Sequence, residues 1–301
     1  MNPNYKSGFV GVIGLPNSGK STLVNNLVGE KVSIVSSKPQ TTRRRSLGIL
    51  NKEEGQIIFV DAPGVLKAGS GLNHFLVEEA GDVIAKVDAL MVVLNIDEPD
   101  FENLKMITEL AEKSGKPWLA VVHKTDIRKQ FHRAEIMKQQ MRDKGVHVVA
   151  GSSLHRDEDF CTLIIEELLE VLPKAEAPIY DPELFTPAST RDVCAEIIRE
   201  KCFENLHQEI PFSTAVRILQ FKENEGPVVR IHAEILVSKP NHLGIVVGKE
   251  AAMIREIGIQ ARKDIEKLTQ RKVYLNLEAR AEKNWFKNTN VMKELGYVLN
   301  S

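Results

Sequence analysis

Residues 14–21 read Gly14-Leu15-Pro16-Asn17-Ser18-Gly19-Lys20-Ser21 and fit the spacing GxxxxGK[ST]. An apolar run, residues 9–14 (FVGVIG), leads into them, and a helical stretch, residues 21–28, follows. That strand–loop–helix setting gives the spacing a mechanical meaning. Gly14 and Gly19 let the backbone curl so that its N–H groups point inward, where they meet phosphate oxygens. The helix that follows adds the positive end of its dipole. Lys20 reaches the β- and γ-phosphates of a nucleotide, and the Ser21 hydroxyl is placed to ligate Mg2+. Leu15, Pro16, Asn17, Ser18 and Thr22 complete the expected cradle.

Outward from the cradle, the first half alternates two kinds of segment. Residues 56–60 (QIIFV), 89–96 (ALMVVLNI), 118–123 (WLAVVH) and 147–150 (HVVA) repeat the near-continuous apolar character of residues 9–14. Strands buried on both faces of a parallel sheet look like this. Residues 21–28, 72–87, 101–113, 133–144 and 157–172 have helical length and spacing. The alternation predicts an α/β domain with a mostly parallel, doubly wound sheet.

Residues 173–187 (PKAEAPIYDPELFTP) hold four prolines in fifteen residues, which predicts a linker or seam. Beyond it the pattern changes. Residues 191–206 are helical, and residues 213–221 and 228–237 suggest a hairpin around Asn224-Glu225-Gly226-Pro227. In the second arm Ile231, Ala233, Ile235 and Val237 alternate with Arg230, His232, Glu234 and Leu236, a strand with one buried face. Two short helices separated near Gly258, a strand at 272–277 and a helical tail complete a small α+β domain. The expected division is 1–175, a linker at 176–190, and 191–301.

A chain of 301 residues with 43% apolar and 27% charged side chains has the composition of a globular protein, not a disordered or fibrous one. No apolar run reaches the roughly 18 residues of a membrane span. Residues 1–8 carry no long apolar stretch, so no secretory leader is expected. Cys161, Cys194 and Cys202 are scattered and odd in number, which predicts reduced thiols in a cytoplasmic protein. The net charge of −1 hides a mild asymmetry: from residue 191 onward, basic side chains outnumber acidic ones 18 to 15.

Three further motifs fall where strands should end. Asp61-Ala62-Pro63-Gly64 follows QIIFV; its carboxylate is placed for a Mg2+ shell, and the Gly64 N–H to sense a γ-phosphate. The alternative there is a plain strand-ending turn. Residues 35–45 (VSSKPQTTRRR) carry Thr41 and Thr42. A threonine hydroxyl from this segment, Thr42 in particular, completes the Mg2+ shell only while the γ-phosphate is present, which would make the segment a switch; the alternative is a solvated basic loop. His123-Lys124-Thr125-Asp126 follows WLAVV, and a carboxylate there accepts from guanine N1–H and the 2-amino group, a pair adenine lacks. Ser152-Ser153 is placed to add contacts to the base.

Taken together, GLPNSGKST, KPQTTRRR, DAPGV, HKTD and GSSLHRDED resemble the five signature motifs of the Era family. CAEIIREKCFENLHQEIPFS, GIVVGKEAAMIREIGIQARKDIEKL, VYLNLEARAEKNWFKN and ELGYV are similar to that family's carboxyl-terminal RNA-binding KH domain. The resemblance spans nearly the whole chain. It implies a P-loop GTPase domain followed by a KH domain of type II, with GTP or GDP and Mg2+ bound. It also implies a switch that binds 16S ribosomal RNA near its 3′ end and assists small (30S) subunit assembly. Cytoplasmic location, partial peripheral association with the inner membrane and a monomeric state go with it. Lys20, Thr42 and Gly64 would be the catalytic groups; Ser21, Thr42 and Asp61 would hold the metal. The nucleotide would meet residues 14–22, 61–65, His123, Lys124, Thr125, Asp126, Ser152 and Ser153. Gly248, Lys249, Arg255, Arg262, Lys263, Lys283 and Trp285 would meet RNA, Trp285 by stacking unless it packs at the edge of the core.

The chain departs from the family pattern at three places. His123 stands where asparagine is usual, and Ser153 where alanine is usual. The loop Gly248-Lys249-Glu250-Ala251 ends in alanine instead of glycine, a residue that resists positive φ. Val65 stands where many small GTPases place the glutamine that orients water, which predicts slow intrinsic hydrolysis. Asn17 is the expected contact for K+, a cation able to replace a missing arginine finger. Arg43, Arg44 and Arg45 would offer charge to RNA or phosphate. The competing reading is a nucleotide-gated RNA-binding scaffold with negligible turnover.

Overall fold

A computed structural model describes residues 4–35, 38, 42–64, 72–154, 157–223 and 226–297. They form two compact units, one of Met1–Gly69 with Leu76–Pro187 and one of Ser70–Phe75 with Ala188–Ser301.

The first unit is built on a six-stranded sheet, ordered β2-β3-β1-β4-β5-β6. Its strands are β1 (Lys6–Gly14), β2 (Ser46–Asn51), β3 (Gly55–Asp61), β4 (Ala89–Asn95), β5 (Trp118–His123) and β6 (Val148–Gly151). All pairings are parallel except β2 with β3. The helices are α1 (Lys20–Val28), α2 (Leu72–Lys86), α3 (Phe101–Lys113), α4 (Phe131–Asp143) and α5 (Glu158–Val171). Apolar faces of α1 (Leu23, Val24, Leu27) and α5 (Ile164, Ile165, Leu168) cover one side of the sheet. Those of α2, α3 and α4, including Val83, Ile107 and Met137, cover the other. That double cover explains why β3 and β4 are buried at every residue. Side-chain caps start two of these helices: Asp100 accepts from Glu102 N at 2.9 Å and Asp157 from Phe160 N at 3.1 Å.

The proline-rich stretch does not leave the first unit at once. It runs along the β2–β3 edge, where Ile49 N donates to Phe185 O at 2.9 Å. The Gln56 side chain, wholly buried, accepts from Ile179 N (2.8 Å) and Tyr180 N (2.9 Å) and donates to Tyr180 O (2.8 Å) and Asn51 Oδ1 (2.7 Å). The Gln56 amide thus ties the strap to the sheet alongside the Ile49 and Asn51 bonds to Phe185 O and Pro182 O.

In the second unit α6 (Thr190–Asn205) precedes β7 (Thr214–Lys222) and β8 (Val228–Val237). Then come α7 (Pro240–Val247), α8 (Ala252–Thr269), β9 (Lys272–Ala281) and a short α9 (Thr289–Glu294). β8 pairs antiparallel with β7 and parallel with β9. Its inward residues Val229, Ile231, Ala233 and Ile235 pack with Ile257, Ala261 and Ile265 of α8 and with Ile197 and Ile198 of α6.

Two expectations are corrected. β2 was not anticipated; SLGILN is short, contains a glycine and follows a basic run, so periodicity alone does not mark it. The helix break lies at residues 248–251, not near Gly258, which sits inside α8 where an added Cβ would only reach ordinary contact with Leu277 at 3.9 Å.

The strap makes a measurable demand on Gln56. Replacing it by leucine leaves two backbone N–H groups without their acceptor, so Gln56→Leu is expected to destabilise the first unit by about 2–3 kcal/mol. A lowered urea midpoint of that unit's transition checks this; an unchanged midpoint contradicts it.

Candidate functional site

The carboxyl ends of β1, β3, β4, β5 and β6 lie along one edge of the sheet because all five run parallel. In doubly wound sheets this edge is where ligands bind. Register sets the alignment: Val12 lies beside Asp61, and Asn95, His123 and Gly151 lie in one row.

The loop between β1 and α1 closes around Lys20. Lys20 Nζ donates to Leu15 O at 2.9 Å and Gly14 O at 3.3 Å, and the side chain is buried. Burial pushes its pKa down to about 8, with the Asp61 carboxylate acting in the opposite direction. Gly19 adopts φ 95°, in the left-handed region, and opens α1. Asn17 also takes a positive φ, 61°, at the exposed tip of the loop. Gly64 comes so close to Pro16 that a Cβ would lie 2.6 Å from its nitrogen. Only glycine lets the end of β3 approach the loop this far.

Ser21, Thr42 and Asp61, expected as metal ligands, come together. Ser21 Oγ donates to Asp61 Oδ2 at 2.6 Å and lies 2.9 Å from Thr42 Oγ1. Among the described residues Asp61 Oδ1 is buried with no hydrogen-bond partner. Burial raises the Asp61 pKa; Lys20 and hydrogen bonds from Ser21 and Ser33 oppose that. An unpartnered carboxylate oxygen beside two hydroxyls is an all-oxygen donor set, which fits a hard divalent cation such as Mg2+.

At the other end of the row, Ser152 Oγ donates to Asp126 Oδ1, and Lys124 forms an ion pair with Asp97 at 3.0 Å. Asp126 is exposed. His123 is buried between Ser18 O (Nδ1, 2.8 Å) and Ser153 Oγ (Nε2, 2.8 Å). Sequence reading did not single out Asn26, whose Nδ2 donates to Ser153 O at 2.8 Å, nor Ser33, Asp97 or Phe160. Asp97 had one legible sign: it follows the apolar run of β4, as Asp61 follows that of β3. Val65 and Thr41 lie outside the described residues.

Arginine roles need correction. Arg43 is 1% exposed, and Arg45 is held by Glu79 (2.9 Å) and Asp82 (2.7 Å). Of the three, Arg44 is the exposed one. In the second unit Lys249, Arg255, Arg262, Lys263 and Lys283 are exposed; Arg255 and Arg262, seven residues apart, share the outward side of α8. Trp285 is the other correction. It is fully buried, donates from Nε1 to Ser213 O at 2.8 Å and packs against Tyr297, so its faces are core and not a stacking platform. The loop before α8 keeps a left-handed turn despite its sequence: Gly248, Glu250 and Ala251 have φ of 74°, 51° and 59°.

Two family models match the chain: a 50S ribosome-binding GTPase over residues 9–124 and a KH domain over residues 209–286. The chain is 38% identical to GTPase Era of Geotalea uraniireducens over 297 residues, covering 97% of this chain and 98% of that protein. The chain belongs to the Era family. It is a GTP hydrolase with a P-loop GTPase domain and a KH domain. GTPase Era of Geobacter metallireducens is likewise 38% identical, over 300 residues and 98% of each chain. A variant of Aquifex aeolicus Era bound to GDP·AlF4− superposes with a TM-score of 0.91 at 31% identity, covering 98% of this chain and all of that one. Era in complex with MgGDPNP and nucleotides 1506–1542 of 16S ribosomal RNA gives 0.90 at 31% identity, with the same coverage.

Burying an ammonium is costly until an anion faces it. Lys20→Met is therefore expected to raise the stability of the nucleotide-free protein by about 1–2 kcal/mol. The same change should weaken GDP binding at least 100-fold, on the order of 3 kcal/mol. Thermal melts and calorimetry with GDP check both signs; a variant that is less stable or binds GDP normally contradicts the reading.

Proposed function

We propose that the protein is a GTP-driven switch that binds 16S ribosomal RNA near its 3′ end and assists assembly of the small (30S) ribosomal subunit. The observation that carries this reading is the full-length similarity to Era, KH domain included, together with the 16S fragment held by one of those relatives. The match to a 50S ribosome-binding GTPase covers only residues 9–124, whereas the Era complex with the 16S fragment is similar over 98% of this chain and favours the small-subunit RNA. Residues 1–175 would hydrolyse GTP, 191–301 would bind RNA, and 176–190 would connect them.

Lys20 and the backbone N–H groups of residues 14–22, Pro16 excepted, hold the β- and γ-phosphates in line for attack by water. The Thr42 hydroxyl and the Gly64 N–H close on the γ-phosphate, and their release after hydrolysis is the switch. Ser21, Asp61 and Thr42 would hold Mg2+, which would supply positive charge to offset that of the phosphates. Asp126 selects guanine; His123, Lys124, Thr125, Ser152 and Ser153 support the base side. Lys249, Arg255, Arg262, Lys263 and Lys283, with Gly248, offer the RNA backbone a basic, close-approaching surface. The protein works as a monomer in the cytoplasm and partly as a peripheral protein at the inner membrane; no helix among the described residues is long and apolar enough to cross one.

Binding of an RNA carrying the 16S 3′ end is expected to be at least about tenfold tighter with a non-hydrolysable GTP analogue than with GDP, a coupling of about 1.4 kcal/mol. Filter binding measures it, and equal affinities would remove the switch. Turnover is expected to be slow and faster in K+ than in Na+, through Asn17 at the exposed loop tip. Equal rates in the two salts argue against the K+ contact, and no turnover in either, with or without the RNA, favours a scaffold.

A further inference from the structure

We infer that His123 and Ser153 act as one clamp that locks the phosphate loop to the base-side loop through a single tautomer of a neutral imidazole, and so position both halves of the nucleotide site. The inference rests on the guanine-nucleotide reading of that site. Ser18 O is a carbonyl and only accepts, so His123 Nδ1, 2.8 Å away, carries the proton. The Ser153 backbone N–H only donates, so Nε2, 3.2 Å away, presents its lone pair. Ser153 Oγ, 2.8 Å from the same nitrogen, donates into it as well. No other tautomer satisfies both backbone groups.

The ring's surroundings fix it further. It is 3% exposed and stacks on Phe160 of α5 with 6.3 Å between centroids and 13° between planes. A Cβ on Gly19 would lie 2.4 Å from Cε1, so the imidazole fills the space under the loop's turn. Asn26 of α1 holds Ser153 O at 2.8 Å, and Ser152 holds Asp126. Through these contacts Ser18, beside the phosphate-facing amides, and Asp126, beside the base, share one rigid bridge.

The bridge is sensitive to protons. A second proton on Nε2 would point at the Ser153 N–H, which then has no acceptor; only the hydroxyl can turn to accept. Burial, the largest influence, and the Lys124 ammonium disfavour the charged ring; Ser18 O, Asp126 and Asp97 favour it. Of the other packed elements, the phosphate loop turns Lys20 toward Gly14 O and Leu15 O, and α5 offers Phe160, with Asp157 engaged as its cap. The balance holds the pKa below the ordinary 6.5. Because the folded pKa is lowered, the neutral clamp persists at and above pH 6.5 and opens only as pH falls through the lower, folded value; below 6.5 the unfolded chain takes up the proton first, so stability declines before the clamp opens.

The test titrates the full-length protein with a fluorescent GDP analogue between pH 8 and 5.5, as wild type, H123N, S153A and the double variant. The nucleotide's own phosphate titrates in every sample, so the readout is the ratio to H123N. Wild type is expected to keep a constant affinity ratio to H123N from pH 8 down to pH 6.5, as a ring that stays neutral requires. S153A is expected to weaken binding a few-fold at pH 7.5, and the double variant to bind no more weakly than H123N alone. Histidine 15N shifts at pH 7.5 should show Nδ1 protonated and Nε2 bare. A ratio to H123N that already falls above pH 6.5, multiplied losses in the double variant, or a proton on Nε2 overturns the clamp. Failure of wild type to bind the analogue at pH 8 overturns instead the nucleotide reading beneath it.

Discussion

The nucleotide site depends on one unfavourable burial. Lys20 sits inside the coil of residues 14–19, its ammonium held by Gly14 O and Leu15 O, with a pKa brought down to about 8. The protein accepts this cost at folding, so the cation needs little rearrangement when phosphate oxygens arrive. The rest of the first unit serves that geometry. Parallel strands bring Gly14, Asp61, His123 and Gly151 to one edge, and helices on both faces make the edge stiff. Gly64 allows the end of β3 to press against Pro16, so the Asp61 carboxylate and the phosphate loop share one small volume.

The second unit stores strain of another kind. Glu250 and Ala251 both adopt left-handed backbone, a conformation that costs about 1 kcal/mol or more for each non-glycine residue. The sequence reading took Ala251 as an obstacle to that turn. The turn persists because both ends are fixed: α7 is tied to β8 and α8 lies across the core through Ile257, Ala261 and Ile265. Packing overrides local preference there, and Gly248, whose Cβ would meet Met253 N at 2.8 Å, takes the position no other residue fits.

Much of the fold was legible because buried parallel strands and amphipathic helices write long, redundant signals. Residues 9–14, 89–96 and 118–123 needed no context, and α3 matched the expected 101–113 at both ends. What was missed writes short or ambiguous ones. β2 has six residues and owes its existence to pairing with β3. A glycine at 258 reads as a breaker, yet inside α8 it merely leaves room beside Leu277. Trp285 lies among lysines in sequence, and no periodicity reveals that Ser213 O, seventy-two residues away, supplies its indole with an acceptor. The site divided similarly: motif spacing located Ser21, Asp61 and His123, but only the fold shows Asp61 Oδ1 unpartnered and His123 wedged beneath Gly19.

His123 shows why a residue-by-residue comparison undercounts such a change. An amide presents an NH2 donor group, with two N–H bonds, and an acceptor oxygen on a short stem and can flip to suit its neighbours. An imidazole presents one donor and one acceptor on opposite sides of a rigid ring, so its neighbours must suit it. One neighbour, Ser18 O, is a backbone carbonyl and cannot vary. The freedom lies on the other side, at residue 153, where a buried hydroxyl also needs a partner. Serine at 153 and histidine at 123 satisfy each other here, hydroxyl to ring nitrogen. The two positions lie thirty residues apart in sequence yet are one physical unit, because β5 and β6 run parallel and end side by side.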